Sequence, residues 1–265
     1  IAYTGTAVSR LQASRFLMQA TFGPTPEDVD HVQQLGYSAW IDEQTGKPAT
    51  LHSSYIKGIY ADYQGPRADT SYNASDTENF IFGNNLQTAF ARAAIQGEDQ
   101  LRQRVAFALS QILVASRRDA NLENKPLGMT DYYDIFVRRA FGNYFDVLSD
   151  VAMHPCMGRY LSHVGNQKAN PAINQYPDEN FAREVMQLFT IGLWELNLDG
   201  TRKVNGSGQN IPTYNNTEIT QTARVMTGLW FGGQDWGNGE VDLASEVVED
   251  KCALCKTQLG IRRIG

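Results

Sequence analysis

Apolar positions recur at intervals of three and four residues along most of this chain, a period that predicts helices rather than strands. Ser9 reads as the cap of a helix running to about Phe22, with Leu11, Phe16, Leu17 and Ala20 facing inward. Thr25-Pro-Glu-Asp28 is a second start, with a capping threonine, a proline in the first turn and two acids at the positive end of the helix dipole. Gly36 ends that helix, a short one holding Trp40 and Ile41 follows, and a tyrosine-rich helix is predicted over 50–63. Gly97 divides a further pair, 77–95 and 98–115. Thr130-Asp131 opens a helix to about Phe141, Asn143 opens one to about His154, and Pro155 starts a short one. Segments 64–76, 117–129 and 165–177 are rich in small polar residues, Gly and Pro, and predict loops.

Two stretches change this picture. Residues 177–192, Pro-Asp-Glu-Asn-Phe-Ala-Arg-Glu-Val-Met-Gln-Leu-Phe-Thr-Ile-Gly, predict one amphipathic helix with Phe181, Val185, Leu188 and Phe189 toward a core. Its other positions are unusually polar: Glu179 stands four before Arg183, Asn180 four before Glu184, and Gln187 lies one turn on. Such a helix builds either a buried polar network or a site. Between 194 and 214, Trp194, Leu196 and Leu198 alternate with Glu195 and Asn197, and Asp199-Gly200 is a turn dipeptide. Thr217 caps the next helix, and from Gly232 the chain is irregular. No internal repeat and no strand–helix alternation is visible. The expected class is mainly α, a multi-helix globular bundle with a small β-hairpin excursion near 194–214. Residues 1–231 read as a single helical domain, and 232–265 as an irregular C-terminal segment.

Several of these segments carry a resemblance. The 177–192 helix resembles the signature of the bacterial domain-of-unknown-function family 1800, a Glu-Asn-(aromatic)-Ala-Arg-Glu helix ending in Phe-Thr-(aliphatic)-Gly. Arg15–Pro24, Leu101–Phe107, His154–Leu161 and Ala223–Trp230 resemble other segments of that family, in the same order. Together they span most of residues 10–231. The resemblance implies an exported bacterial protein, secreted or periplasmic, often encoded beside a second exported protein; it implies no established activity. Many members carry a His-Asn-His-Phe run in the central helix, where this chain has Ala108–Val114 without histidine. Lys256-Thr-Gln-Leu-Gly260 resembles an element that lies mid-chain in the family, so residues 232–265 read as the start of a longer region.

Length and charge narrow the classes. The 265 residues suffice for a large core. A net charge of −6 without any basic run argues against nucleic acid as a partner. No apolar stretch approaches a membrane span. The chain begins at Ile1 with no visible signal peptide, which fits a mature or trimmed product. Cys252 and Cys255 form one C-x-x-C without a second pair or a nearby histidine, so a local disulfide or free thiols are favoured over zinc. Cys156 reads as buried filler.

The chemistry-bearing candidates cluster around the signature helix. Glu184, flanked by apolar positions, is the best single candidate for a general acid or base. Asn180 is placed to orient it or a substrate, and Glu179–Arg183 reads as a supporting ion pair. Against this stands a purely structural network. His154 precedes Pro155 at a helix junction, where a ring nitrogen either caps backbone groups or takes part in catalysis. His163 lies in the loop before the signature helix. His154, His163 and Glu184 form a weak metal set without recognisable ligand spacing, and no metal or cofactor is expected. Arg102, Arg104, Arg117, Arg118, Arg138, Arg139, Arg159 and Arg183 read as an anion groove or as solvated and ion-paired faces. Tyr55, Tyr60, Tyr63 and Tyr72, and Trp230, Phe231 and Trp236, flank polar loops, as carbohydrate platforms, protein contacts or core.

The favoured reading is an exported, non-catalytic scaffold, assembly or surface-binding subunit acting with a protein partner, with carbohydrate as an alternative ligand. The second is an extracellular hydrolase using Glu184 with Asn180, Arg183 or His154. The third is a metal-dependent oxidoreductase.

Overall fold

A computed structural model describes residues 8–64, 84–123, 125–231 and 261–263. The chain is mainly helical, as the apolar period predicts. It divides into two compact units, Ile1–Gln111 with Met129–Val147, and Ile112–Gly128 with Leu148–Gly265. Cys252, Cys255, Tyr72 and Trp236 lie outside the described residues, as do the side chains of Tyr60, Tyr63 and Phe231.

In the first unit, α1 (Arg10–Ala20) and α2 (Pro26–Leu35) both begin with capping boxes, Ser9 with Gln12 and Thr25 with Asp28. They pack with α3 (Tyr37–Gly46) around Ala13, Leu17, Ala20, Val29, Val32 and Trp40. Phe16 meets Trp40 edge-on at 5.2 Å. Leu11, expected inward, is exposed, because the buried stripe runs through Ala13, Leu17 and Ala20. The unit continues with α4 (His52–Gln64), α5 (Asn84–Gln96) and α6 (Gln100–Ser110). α6 stops short of the predicted residue 115; the Ser110 hydroxyl donates to the Phe107 carbonyl at 2.7 Å in its last turn. Phe22, Phe90, Phe107 and Tyr133 form an aromatic cluster. Tyr133 lies on α7, which spans Pro126–Arg139 rather than opening at Thr130. Pro126 and Gly128, read as loop residues in the sequence, form its first turn, where a proline lacks only an N–H that has no helical partner.

The second unit holds the end of α8 (Tyr144–Ala152), the short α9 (Pro155–Tyr160) and a 3₁₀ turn at Pro171–Ile173. The signature helix follows as α10 (Asn180–Glu184), which widens at once into a π turn over Val185–Phe189. The extra residue of the π turn breaks the predicted stripe: Phe181 and Phe189 are buried, and Leu188 faces solvent. α11 (Asn216–Val225) is capped by Asn215 with Glu218, not by Thr217, whose N–H is the one received by the Asn215 side chain at 2.8 Å. Ala182 of α10 packs on Ile219 and Ala223 of α11. β1 (Leu229–Phe231) pairs antiparallel with β2 (Ile261–Arg263), Trp230 opposite Arg262.

The excursion near 194–214 is present, and it closes on itself. Three arms bridge in a ring: Leu196 with Arg202, Val204 with Asn210, and Trp194 with Pro212. The Lys203 N–H donates to the Glu195 carbonyl, Ile211 N–H to Lys203, and Glu195 N–H to Ile211, at 2.8, 3.1 and 3.0 Å. The outer bonds repeat the same offset, Asn197 N–H to Thr201, Asn205 to Gln209, and Thr213 to Leu193. Gly192, Gly200 and Gly208 open the arms with φ of 73°, 83° and 76°, a conformation that glycine adopts without a Cβ penalty. An internal repeat of eight residues thus exists that the sequence pattern alone did not disclose. Its glycines recur, as do an aliphatic residue or proline at Leu196, Val204 and Pro212, an amide or hydroxyl at Asn197, Asn205 and Thr213, and a small polar residue at Asp199, Ser207 and Asn215.

Candidate functional site

The polar face of the signature helix is tied into the second unit from both ends. Glu179 receives Arg183 Nη2 at 2.7 Å on one oxygen and the Thr220 hydroxyl at 3.0 Å on the other. Arg183 also reaches Asn216 Oδ1 at 3.3 Å. The expected ion pair is therefore present, and it joins α10 to α11. Asn180 is exposed, with its backbone N–H on Asp178 Oδ1 at 2.8 Å; no hydrogen bond links its side chain to Glu184. Asp178 N–H in turn donates to Asn166 Oδ1, while Asn166 Nδ2 donates back to the Asp178 carbonyl. At the other end the Thr190 hydroxyl donates to the Val185 carbonyl at 2.5 Å across the π turn. The Gly192 N–H closes on the Met186 carbonyl at 2.8 Å, and the Thr213 hydroxyl of the third arm binds the Gly192 carbonyl.

Glu184 is the exception on this helix. It is half-buried, and its Oε2 is enclosed with no hydrogen-bond donor among the described residues. A buried carboxylate oxygen normally has a partner, so this atom is the one on the signature helix still able to accept from a water or a ligand.

The two histidines serve backbone groups. His154 caps α9, with Nδ1 accepting the Cys156 N–H at 3.2 Å. Cys156 itself is buried and is not in a disulfide. His163 is fully buried; its Nε2 donates to the Ala152 carbonyl at 2.8 Å and its ring packs on Phe181 at 4.1 Å. That bond places the proton on Nε2, which leaves Nδ1 as an acceptor with no donor among the described residues. Burial holds the His163 pKa below the usual histidine value, so the ring is neutral. Among the described residues no three His, Cys, Asp or Glu side chains come together as metal ligands, so His154, His163 and Glu184 are not assembled as such a set.

Three of the central arginines are engaged within the first unit. Arg102 reaches the Val137, Thr45 and Lys47 carbonyls and lies over the Phe141 ring; Arg104 binds the Gln19 carbonyl and covers Phe22. Arg138 pairs with Asp131 at 3.4 Å.

One buried polar cluster in the first unit escaped sequence reasoning. Asp134 of α7 accepts the His52 and Ser53 N–H groups at 2.8 and 2.9 Å, capping α4 from across the unit. His52 Nε2 meets Gln103 Oε1 at 3.0 Å, and the imidazole stacks on Tyr133 at 4.5 Å. Gln103 Nε2 donates to the Thr50 carbonyl and to Asp99 Oδ2, and Asp99 Oδ2 also takes the Thr50 N–H. Burial lowers the His52 pKa and raises that of Asp134. Asp99 and Gln103, four apart on one helix, were the only local signal; nothing in the sequence connects them with Asp134.

A family model described as a protein of unknown function, DUF1800, matches residues 15–254. No curated protein and no solved structure matches the chain.

Proposed function

The chain belongs to the DUF1800 family, and on that premise we propose that it is a non-catalytic binding or assembly subunit that docks a protein partner through the three-arm ring of its second unit. The observation that carries this reading is the ring itself. Six backbone hydrogen bonds tie its arms to one another, while Leu196, Leu198 and Val204 stand more than half exposed. Leu188, Ile191 and Leu193, just before and at the start of the first arm, are also exposed. An element cross-tied by its own backbone that presents aliphatic side chains is suited to side-chain recognition of a protein surface. The signature residues favour the same reading, since Glu179, Arg183, Thr190, His154 and His163 are all committed to holding backbone and helices. Export to the periplasm or beyond, and a co-encoded exported protein as the partner, rest on the family resemblance.

The test is size-exclusion chromatography of the full chain with the exported protein encoded beside it. We expect a complex that the double substitution Leu196→Asp, Val204→Asp abolishes while far-UV circular dichroism stays unchanged. A complex of equal affinity with that variant refutes the ring as the docking element. The unsatisfied Glu184 Oε2 favours a second reading, a hydrolase using that carboxylate as acid or base. A screen against glycan, ester and peptide substrates decides it: turnover that Glu184→Gln removes from a folded protein replaces the binding reading.

A further inference from the structure

The first unit holds a cavity of about 720 Å³ between α4 and α5, lined at one end by residues 48–51 together with Gly97 and Glu98. This volume is within the range of small-molecule pockets, roughly 300–1,000 Å³. The sequence explains the space. Small residues, Gly58 on one helix and Ala89 and Ala93 on the other, are among those that line it, and a Cβ placed on Gly58 would meet nothing within 4 Å.

Arg92 is the chemically distinctive group of this pocket. Arg92 is exposed, and its guanidinium lies over the Tyr55 ring, 5.1 Å from the centroid, a contact that favours this orientation of the fork. Among the described residues Arg92 has no hydrogen-bond acceptor and no carboxylate partner. Among the described residues that line the cavity the one acid is Glu98, which is exposed and lies 3.5 Å from Lys47 Nζ. Behind the wall, Asp99 has its Oδ2 covered by the Thr50 N–H and Gln103, and Asp134 is spent on the first N–H groups of α4. Asp99 Oδ1 is buried beside Gly97 with no donor among the described residues, and Arg92 is the one cation among the described residues that line the pocket. A guanidinium oriented this way recognises a planar carboxylate or a phosphate through paired N–H bonds. The Ser54 hydroxyl adds a polar contact, and Leu51, Ile59 and Ala89 provide an apolar wall.

We propose that this cavity is a binding site for a small organic anion, a carboxylate or phosphate ester on an apolar body, anchored by Arg92. The site is separate from the ring of the second unit and stands whether or not that ring docks a partner.

The experiment is isothermal titration of the full chain with benzoate, phenyl phosphate and the neutral benzyl alcohol. We expect saturable binding of one of the anions, with preference between them identifying the head group, and weaker binding of the alcohol by about tenfold or more. Arg92→Gln should weaken the anion by a similar factor. Gly58→Met should block it by filling the cavity, and because methionine is a better helix former than glycine, this variant should melt no lower than the wild type. No saturable binding of either anion, equal binding of anion and alcohol, or unchanged binding in both variants overturns the proposal.

Discussion

Replacing Asp134 by alanine tests whether the buried cluster of the first unit is a structural keystone. The carboxylate is fully enclosed, and its oxygens take the N–H groups of His52 and Ser53 at 2.8 and 2.9 Å. These are the first two N–H groups of α4, which have no partner within the helix. His52 and Ser53 are themselves buried, so water cannot replace the lost acceptor without opening the unit. Each buried donor left unpaired costs about 1–3 kcal/mol, so two of them, with the cavity of the missing side chain, total about 3–5 kcal/mol. That is a large share of the roughly 5–15 kcal/mol that stabilises a typical domain. Asp134→Asn keeps one acceptor and turns an N–H toward the other donor, so it should lose about half as much, roughly 1–3 kcal/mol. Equilibrium urea unfolding followed by far-UV circular dichroism gives both values. An Asp134→Ala midpoint that matches the wild type, or an asparagine variant as unstable as the alanine one, refutes the capping argument.

Two further outcomes follow from the same reasoning. The lowered His163 pKa means that the unfolded chain takes up a proton before the folded one does; its contribution is full above about pH 6.5 and is lost as pH falls through the depressed value, so stability declines on acidification by up to about 1.4 kcal/mol per pH unit for this one proton. His163→Phe removes that titration, and an unfolding free energy measured from pH 8 to pH 5 should fall less steeply; an identical slope counts against it. Gly165 has φ of 78°, and a Cβ there would sit 2.7 Å from the Trp230 ring, so Gly165→Ala should cost about 2–4 kcal/mol in a thermal melt, whereas a melt at the wild-type temperature would show that Trp230 simply moves aside.

The helices were legible because their caps and apolar stripes are local. Ser9, Thr25 and the proline starts are written within four residues of the ends they define. Misreadings came where two local signals competed. Thr217 looked like a cap, but Asn215 with Glu218 supplies a reciprocal pair of bonds that a lone threonine cannot match. Pro126 looked like a loop residue, although a first-turn proline costs a helix nothing. The ring and the buried cluster were illegible for a different reason. Both are assembled from single hydrogen bonds between distant positions, such as Asp134 with His52, and neither leaves a period that a scan of polar and apolar residues detects. The ring's eight-residue repeat is carried by backbone geometry, so side chains as unlike as Trp194, Arg202 and Asn210 occupy equivalent places.

The signature helix now has a physical account that leaves one residue over. Its first residues bind it to α11 through Glu179 and Arg183. Its last residues launch the ring: Thr190 closes the π turn, and Gly192, in a conformation suited to glycine, turns the chain into the first arm and offers its carbonyl to the third. Phe181 and Phe189 hold the two ends in the interior, and the π turn between them adds the residue that sets Leu188 outward beside the ring. Glu179, Arg183 and Thr190 have partners in that task, and Glu184 Oε2 has none among the described residues. If the helix served architecture alone, glutamine at 184 would relieve a buried carboxylate and leave the fold as stable as before or more so. A Glu184→Gln variant that is both stable and unaltered in partner binding therefore assigns the whole signature to positioning the ring, while one that is stable yet impaired gives Glu184 a ligand of its own.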